Sequence, residues 1–306
     1  MKKLAFLLIL NVWFTTFSVS SQNTISELTK PYLGLKPPDD TPKIFAPGII
    51  STDTYNHASV TISPDGTEIY WATDNDSIGH RVIWYSGFVN GKWSVKKIID
   101  FTVDSDGDCP MLSPDGQRIY FLSNRLLEAN PETRSKRIWS AGRSGSGWEE
   151  PQPLPPVINS EHLQWQVSVD NNLNIYFGSE RKGTKGKDDI FFSEYKNGRY
   201  RESVSLGQNI NSQYHESTPF ISPDGTFLIF SRMVFSDTSR SGFYISFKDS
   251  EGDWTKARYM GEQFINAVCP YVSPDGKYIF FKRSGKEFYY VYWVSGEIIE
   301  ELRSNR

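Results

Sequence analysis

The tetrapeptide Ser63-Pro64-Asp65-Gly66 returns as Ser113-Pro114-Asp115-Gly116, Ser222-Pro223-Asp224-Gly225 and Ser273-Pro274-Asp275-Gly276. Each copy precedes an apolar triplet: Ile69-Tyr70-Trp71, Ile119-Tyr120-Phe121, Leu228-Ile229-Phe230 and Ile279-Phe280-Phe281. A degenerate copy, Val169-Asp170-Asn171-Asn172 followed by Ile175-Tyr176-Phe177, fills the double gap between the second and third, giving five units 50 to 56 residues apart. A period of this length marks a repeat architecture, in which each unit buries its apolar face only against its neighbours.

The tetrapeptide is turn chemistry: Pro presets φ at the second position, Asp is tolerated at the third, and Gly supplies positive φ at the fourth. Half-apolar runs such as Ala58-Ser59-Val60-Thr61-Ile62 precede the turns, so two strands flank each one. A third strand follows in Arg81–Tyr85, Arg137–Trp139, Asp189–Phe192, Phe243–Ser246 and Tyr289–Trp293, and a second tight turn with an aromatic (Trp93, Trp148, Tyr200, Trp254) opens a fourth. Four antiparallel strands per unit make a propeller blade. The last unit lacks its fourth strand, and residues 43 to 50 resemble the segments that end earlier units. We therefore expect an all-β chain with a single five-bladed propeller, closed by an N-terminal strand that protects the sheet edges. A sixth blade requires residues 22–42 and the tail to form a stunted sheet. The expected division is a signal peptide at 1–21, an N-terminal extension at 22–42, the propeller at 43–294 and a C-terminal tail at 295–306.

The Ser-Pro-Asp-Gly turn followed by an Ile/Leu-aromatic-aromatic strand resembles the WD40-like repeat of TolB-type periplasmic proteins and of the propellers that precede some serine peptidase domains. The resemblance covers about residues 43 to 294 and implies the fold. Such propellers serve as protein-binding platforms, substrate gates, sugar-binding modules and enzymes, so it does not imply one activity.

With 306 residues, 38% of them hydrophobic, the chain buries a sizeable core without needing its two cysteines as staples. A balance of 33 Lys+Arg to 36 Asp+Glu supplies no basic field, which argues against a nucleic-acid partner. Lys2 and Lys3, the polar-interrupted apolar run Leu4 to Val19 and the small residues Val19-Ser20-Ser21 form a signal-peptide pattern, with cleavage expected before Gln22. The run is too short for a membrane anchor, so we expect a monomeric chain exported to the periplasm or beyond, with no membrane span after cleavage.

Chain direction places the Ser-Pro-Asp-Gly turns on one rim, where Asp65, Asp115, Asp224 and Asp275 are turn formers. Seven residues before each turn serine, on the other rim, stand Asn56, Asp106, His162, His215 and Asn266, with His57 and Glu216 beside them. An Asp106/His162/His215 set suits an acid-base pair or a divalent metal; the competing reading is strand-end caps that satisfy backbone groups. The loops after the second strands add Arg125, Arg181, Arg232, Lys282 and Arg283, either a ring for an anionic ligand or solvated charge. The longest of these loops, Leu122 to Lys136, is the expected lid or contact arm.

Trp84, Trp93, Trp139, Trp148 and Trp254 recur at equivalent positions and read as packing between blades. Trp165 stands where other units carry Ser59, Cys109, Thr218 and Cys269, so its ring is expected to plug the channel or stack on a ligand. Cys109 and Cys269 fall in non-neighbouring units, so we expect free, buried thiols too far apart to bond. Neither a nucleophile elbow nor a Walker loop is present, and no cofactor is expected. The leading functional expectation is a non-enzymatic module binding a protein, peptide or glycan across the His/Arg rim. The alternative is a lyase or glycoside hydrolase acting on anionic carbohydrate through Asp106, His162 and His215.

Overall fold

The computed structural model describes residues 31–126, 136–160 and 164–304. The expected signal peptide, His162 and most of the expected lid lie outside the described residues. Five four-stranded antiparallel sheets follow one another in chain order, each meandering from the inside of the ring outward. Blade 1 runs His57–Ile62, Glu68–Asn75, His80–Val89, Lys97–Ile98, and blade 2 runs Asp108–Leu112, Arg118–Ser123, Arg137–Ser144, Gln152–Pro153. Blade 3 comprises Gln164–Val169, Ile175–Ser179, Asp189–Ser193 and Val204–Ser205; blade 4 comprises His215–Ile221, Phe227–Met233, Gly242–Phe247 and Arg258–Tyr259.

Blade 5 consists of Val268–Val272, Tyr278–Ser284 and Tyr289–Ser295, with Lys43–Ile44 as its outer strand. Lys43 pairs with Trp293 and Ile44 with Tyr292, so the N-terminal segment closes the ring as its likeness to the blade-ending segments predicts. The tail forms a helix over Glu297–Ser304 rather than part of a stunted blade, and Ile299 buries that helix against the core. The recurrent aromatics Trp93, Trp148 and Tyr200 precede the fourth strands instead of opening them: they belong to short hairpins such as Val89–Trp93, beyond which the true outer strand begins.

The apolar triplets are the core, as the repeat demands. Trp71, Tyr120, Phe121, Phe177, Phe230, Phe280 and Phe281 are among the largest fully buried side chains, because the second strand of each blade is covered on both faces. Every Ser-Pro-Asp-Gly turn has the same wiring. The serine hydroxyl donates to the Asp carboxylate at 2.6 to 2.8 Å in all four, and the Gly takes φ between 69° and 74°.

The third unit differs by one residue. Asp170 occupies the serine position, because Ile62–Ile69 spans six intervening residues and Val169–Ile175 only five. Counted from Asp170, the seventh residue back is Leu163 rather than His162, and the fourth is Gln166 rather than Trp165.

Candidate functional site

The inner strands present their side chains to the axis in two layers. Four residues before each turn stand Ser59, Cys109, Gln166, Thr218 and Cys269, at bulges where Cys109, Thr218 and Cys269 take φ of 48°, 48° and 57°. Two residues before each turn stand Thr61, Met111, Ser168, Phe220 and Tyr271.

The first layer closes the channel. Gln166 reaches across to the carbonyls of Pro270 at 3.1 Å and Pro219 at 3.4 Å, while Thr218 accepts from the Cys269 amide at 3.1 Å. Gln166, not Trp165, is therefore the plug. Trp165 lies one position outward, 36% exposed at the rim, with its indole N–H donating to Asp188 Oδ1 at 3.1 Å.

Below the plug, the second layer lines an axial bowl of about 470 Å³ on the Ser-Pro-Asp-Gly mouth. Met111, Leu112, Val169, Phe220, Ile221, Tyr271 and Val272 form its wall, and Pro64, Pro114, Asn171, Pro223 and Pro274 form its lip. Tyr271 is fixed there because its hydroxyl donates to the Ile62 carbonyl at 2.8 Å and accepts from the Ile62 amide at 3.0 Å, which joins blade 5 to blade 1. Burial pushes its hydroxyl up to about 12, so it stays neutral. Around the lip, Asp65, Asp115, Asp224 and Asp275 are exposed. The Ser63 hydroxyl holds the Asp65 carboxyl below its ordinary value; for Asp115, Asp224 and Asp275 the serine bond and the amides outweigh partial burial to the same effect.

The opposite mouth, where the His and Arg residues were expected to meet a ligand, is built differently. His57 is buried: its Nδ1 bonds the Tyr289 carbonyl at 2.9 Å and its Nε2 accepts from the Thr52 amide at 3.1 Å. Glu216, fully buried, accepts from Ser212 and from Arg232 Nε at 2.6 Å. The recurrent arginines lie flat on their own blade's aromatics and cap the carbonyls of the link entering that blade. Arg181 stacks on Phe177 and bonds Ile158 at 2.5 Å, Arg232 stacks on Tyr244 and bonds Ile210 at 2.8 Å, and Arg283 stacks on Tyr292 and bonds Gln263 at 2.9 Å.

Arg125 departs from this pattern. It lies among Phe101, Phe121 and Trp139, and beside it a polar recess of about 640 Å³ holds His80, Asp104, Asp106 and Glu150. Three carboxylates against one guanidinium make this recess a poor seat for an anion.

Asp106 and His215 are engaged separately. Lys136 lies 3.7 Å from Asp106, whose carboxyl is pushed up by burial, while His215 faces Asp188 at 3.5 Å and packs edge-on against Phe235. Deeper in, Arg81 bonds Asp74 and Asp108, and Lys136 bonds Asp108 at 2.5 Å. Burial opposes the Asp108 charge, but these two cations outweigh it and hold the carboxyl far below the usual range. Among the described residues, no group of three or more His, Cys, Asp or Glu side chains is placed to hold a metal. No described helix is long and apolar enough to cross a membrane.

Sequence reasoning missed both the bowl and the Arg81–Asp108–Lys136 network. The bowl had a signal: large apolar residues at the second position before the turn in three units, Met111, Phe220 and Tyr271, on the same strand face as the Cys109 layer.

No family model and no curated protein matches the chain. Among solved structures it is similar to TolB from Acinetobacter baumannii, with a TM-score of 0.52 and 13% identity over 79% of this chain and 52% of that one. It is also similar to a protein of unknown function from Dyadobacter fermentans, at TM-score 0.50 and 13% identity over 85% and 83% of the two chains. A third similar structure is an α-L-arabinofuranosidase from Podospora anserina, at TM-score 0.50 and 9% identity over 80% and 93%. The chain spans about half the length of the TolB structure, and at these identities the likeness is one of fold: a five-bladed β-propeller.

Proposed function

We propose that this propeller is an exported binding module whose axial bowl seats a large apolar side chain of a protein or peptide partner, with basic residues of that partner facing the rim carboxylates. The observation that carries this reading is the bowl itself. It is concave, preformed, apolar, and within the range of volumes that bind side chains and small ligands. Charge favours the same partner, because Asp65, Asp115 and Asp224 are exposed and ionised at neutral pH. Export rests on the Lys2-Lys3 start and the apolar run to Val19.

The carbohydrate-enzyme reading has less support: Arg181, Arg232 and Arg283 are committed to link carbonyls, and Gln166 blocks the channel beneath the opposite mouth. The test is calorimetric titration with two peptides, each centred on Trp, one flanked by lysines and the other by glutamates. The lysine peptide should bind at least tenfold tighter and weaken with salt, and Asn171→Trp, which fills the mouth from an exposed turn, should abolish binding. Absence of binding by both peptides, equal affinity for the two, or affinity unchanged in Asn171→Trp would overturn the assignment. An acidic oligosaccharide that bound Asn171→Trp as well as the parent would relocate the site to the other mouth.

A further inference from the structure

The recess beside Arg125 is walled from both sides of a blade junction. His80 comes from the third strand of blade 1, Asp104, Ser105 and Asp106 from the link into blade 2, and Asn124 and Trp139 from blade 2 itself. Two of these side chains are more than nine-tenths buried, Asp106 at 8% and Trp139 at 7% exposure, and each carries a polar atom without a hydrogen-bond partner among the described residues. For Asp106 it is Oδ2, which meets Lys136 Nζ only at 3.7 Å; for Trp139 it is the indole N–H. Arg125 adds a third orphan, Nε, while its Nη1 lies 3.7 Å from Glu150. Buried polar atoms are ordinarily paired, so three unpaired ones on residues that wall a single recess point to a ligand.

The chemistry of the orphans selects that ligand. Asp106 Oδ2 accepts a hydrogen bond, whereas Trp139 Nε1 and Arg125 Nε donate one. An anion serves the two donors but meets Asp104, Asp106 and Glu150; a cation serves the carboxylates and leaves both donors bare. A hydroxyl group both donates and accepts, and a sugar ring carries several of them side by side. Leu126 is the only aliphatic side chain in the wall, so the recess offers little to the apolar side chains of a peptide.

We propose that the recess between blades 1 and 2 binds a neutral saccharide, whose hydroxyls donate to Asp106 and accept from Trp139 and Arg125. This site is separate from the axial bowl and stands on the rim opposite the Ser-Pro-Asp-Gly turns. A second recess of about 370 Å³ adjoins it, sharing Asp104, Ser105, Arg125 and Glu150 and adding the half-buried rings of Phe101 and Trp148. The combined groove therefore has room for a second sugar unit against an aromatic wall, and a disaccharide is the smallest ligand that uses both parts.

The test titrates the full chain, isotope-labelled on its indole nitrogens, with maltose, lactose and cellobiose. It follows the Trp139 indole N–H resonance, assigned by its loss in Trp139→Phe. At least one sugar should shift that resonance and saturate at millimolar concentration, and the aldonate made from the same sugar should bind more weakly because its carboxylate meets Asp104 and Glu150. By calorimetry, Trp139→Phe, which keeps a ring and drops the donor, should bind that sugar roughly fivefold more weakly, the share of one hydrogen bond. Ser105→Trp, which fills both recesses from the link, should abolish binding. A Trp139 resonance unmoved by all three sugars, affinity unchanged in Trp139→Phe or in Ser105→Trp, tighter binding of the aldonate, or a shift produced by triglycine amide and by no sugar would overturn the proposal.

Discussion

Asn211 reads both backbone groups of Ile190, accepting from its amide at 2.8 Å and donating to its carbonyl at 2.9 Å. Asn159 does the same to Ile138 one blade earlier, at 2.9 and 2.8 Å. Both sit in links between blades and finish, with a side chain, the ladder that the short outer strand leaves incomplete. In blade 5, Ser51 provides the shorter version, bonding the amide and carbonyl of Val291. Asn211→Ala removes an acceptor and a donor from buried backbone groups and should cost about 2–3 kcal/mol. Asn211→Asp loses the donor and adds a buried charge, so it should cost at least as much. Urea denaturation midpoints check both, and an Asn211→Ala chain within about 0.5 kcal/mol of the parent would contradict the role.

Glu216 has no exposed surface and depends on Arg232, Ser212 and the Ser212 amide for its charge. Removing its cation strands a buried carboxylate, the costly way to break such a pair. Arg232→Ala should therefore lose about 3–5 kcal/mol, part of it from the lost stacking on Tyr244. The Arg232→Met/Glu216→Met chain, with both charges gone and the volume kept, should recover much of the loss, so a double-mutant cycle measured by chemical denaturation reads the coupling. Equal stability of the single and double variants would show that packing alone matters.

The Ser-Pro-Asp-Gly turns made the architecture legible because turn chemistry is local: four residues specify a hairpin without reference to anything distant. The site was less legible because its partners are not local. Arg181, Arg232 and Arg283 recur visibly, but the carbonyls of Ile158, Ile210 and Gln263 that absorb them lie in links some twenty residues upstream. The one-residue deletion before Ile175 moved Trp165 and His162 off the positions that counting from Val169 assigned them. Cys109 and Cys269 are both free and buried, as their places in non-neighbouring units predict.

His57 links acidity to ring closure. Burial pushes its imidazole below its ordinary value, more than its bond to the Tyr289 carbonyl pushes it up, and Nε2 must stay unprotonated to accept from Thr52. The unfolded chain therefore takes up this proton first as acidity rises, and stability falls as pH drops below about 6.5. His57→Gln should cost about 1 kcal/mol at pH 8 and show a shallower decline in melting temperature between pH 7 and 5 than the parent. His80, His162 and His215 remain in both chains, so the difference between the two curves isolates His57. Parallel curves would remove His57 from the acid response.

Gly186 sits where the loop after the second strand of blade 3 presses on the link entering blade 4. A Cβ built there overlaps the Tyr214 carbonyl, which is backbone and cannot swing away. The same contact region carries the Glu216 amide bonded to the Asp188 carbonyl at 3.0 Å, so any shift of the loop also loosens the inner strand of blade 4. Its φ is not in the left-handed region, so the requirement for glycine here is close approach rather than backbone conformation. Gly186→Ala should cost about 2–3 kcal/mol as a steric defect against backbone at a half-buried junction. Gly147→Ala is the control, because its Cβ would meet only the Ser144 carbonyl at an ordinary 3.8 Å, and it should stay within about 1 kcal/mol of the parent. Hydrogen exchange locates the damage: the amides of Glu216 and Ser217 should lose protection in Gly186→Ala while those of blade 1 keep theirs. Uniform loss across the ring would mean that the blades open together and that the junction is not a separate weak point.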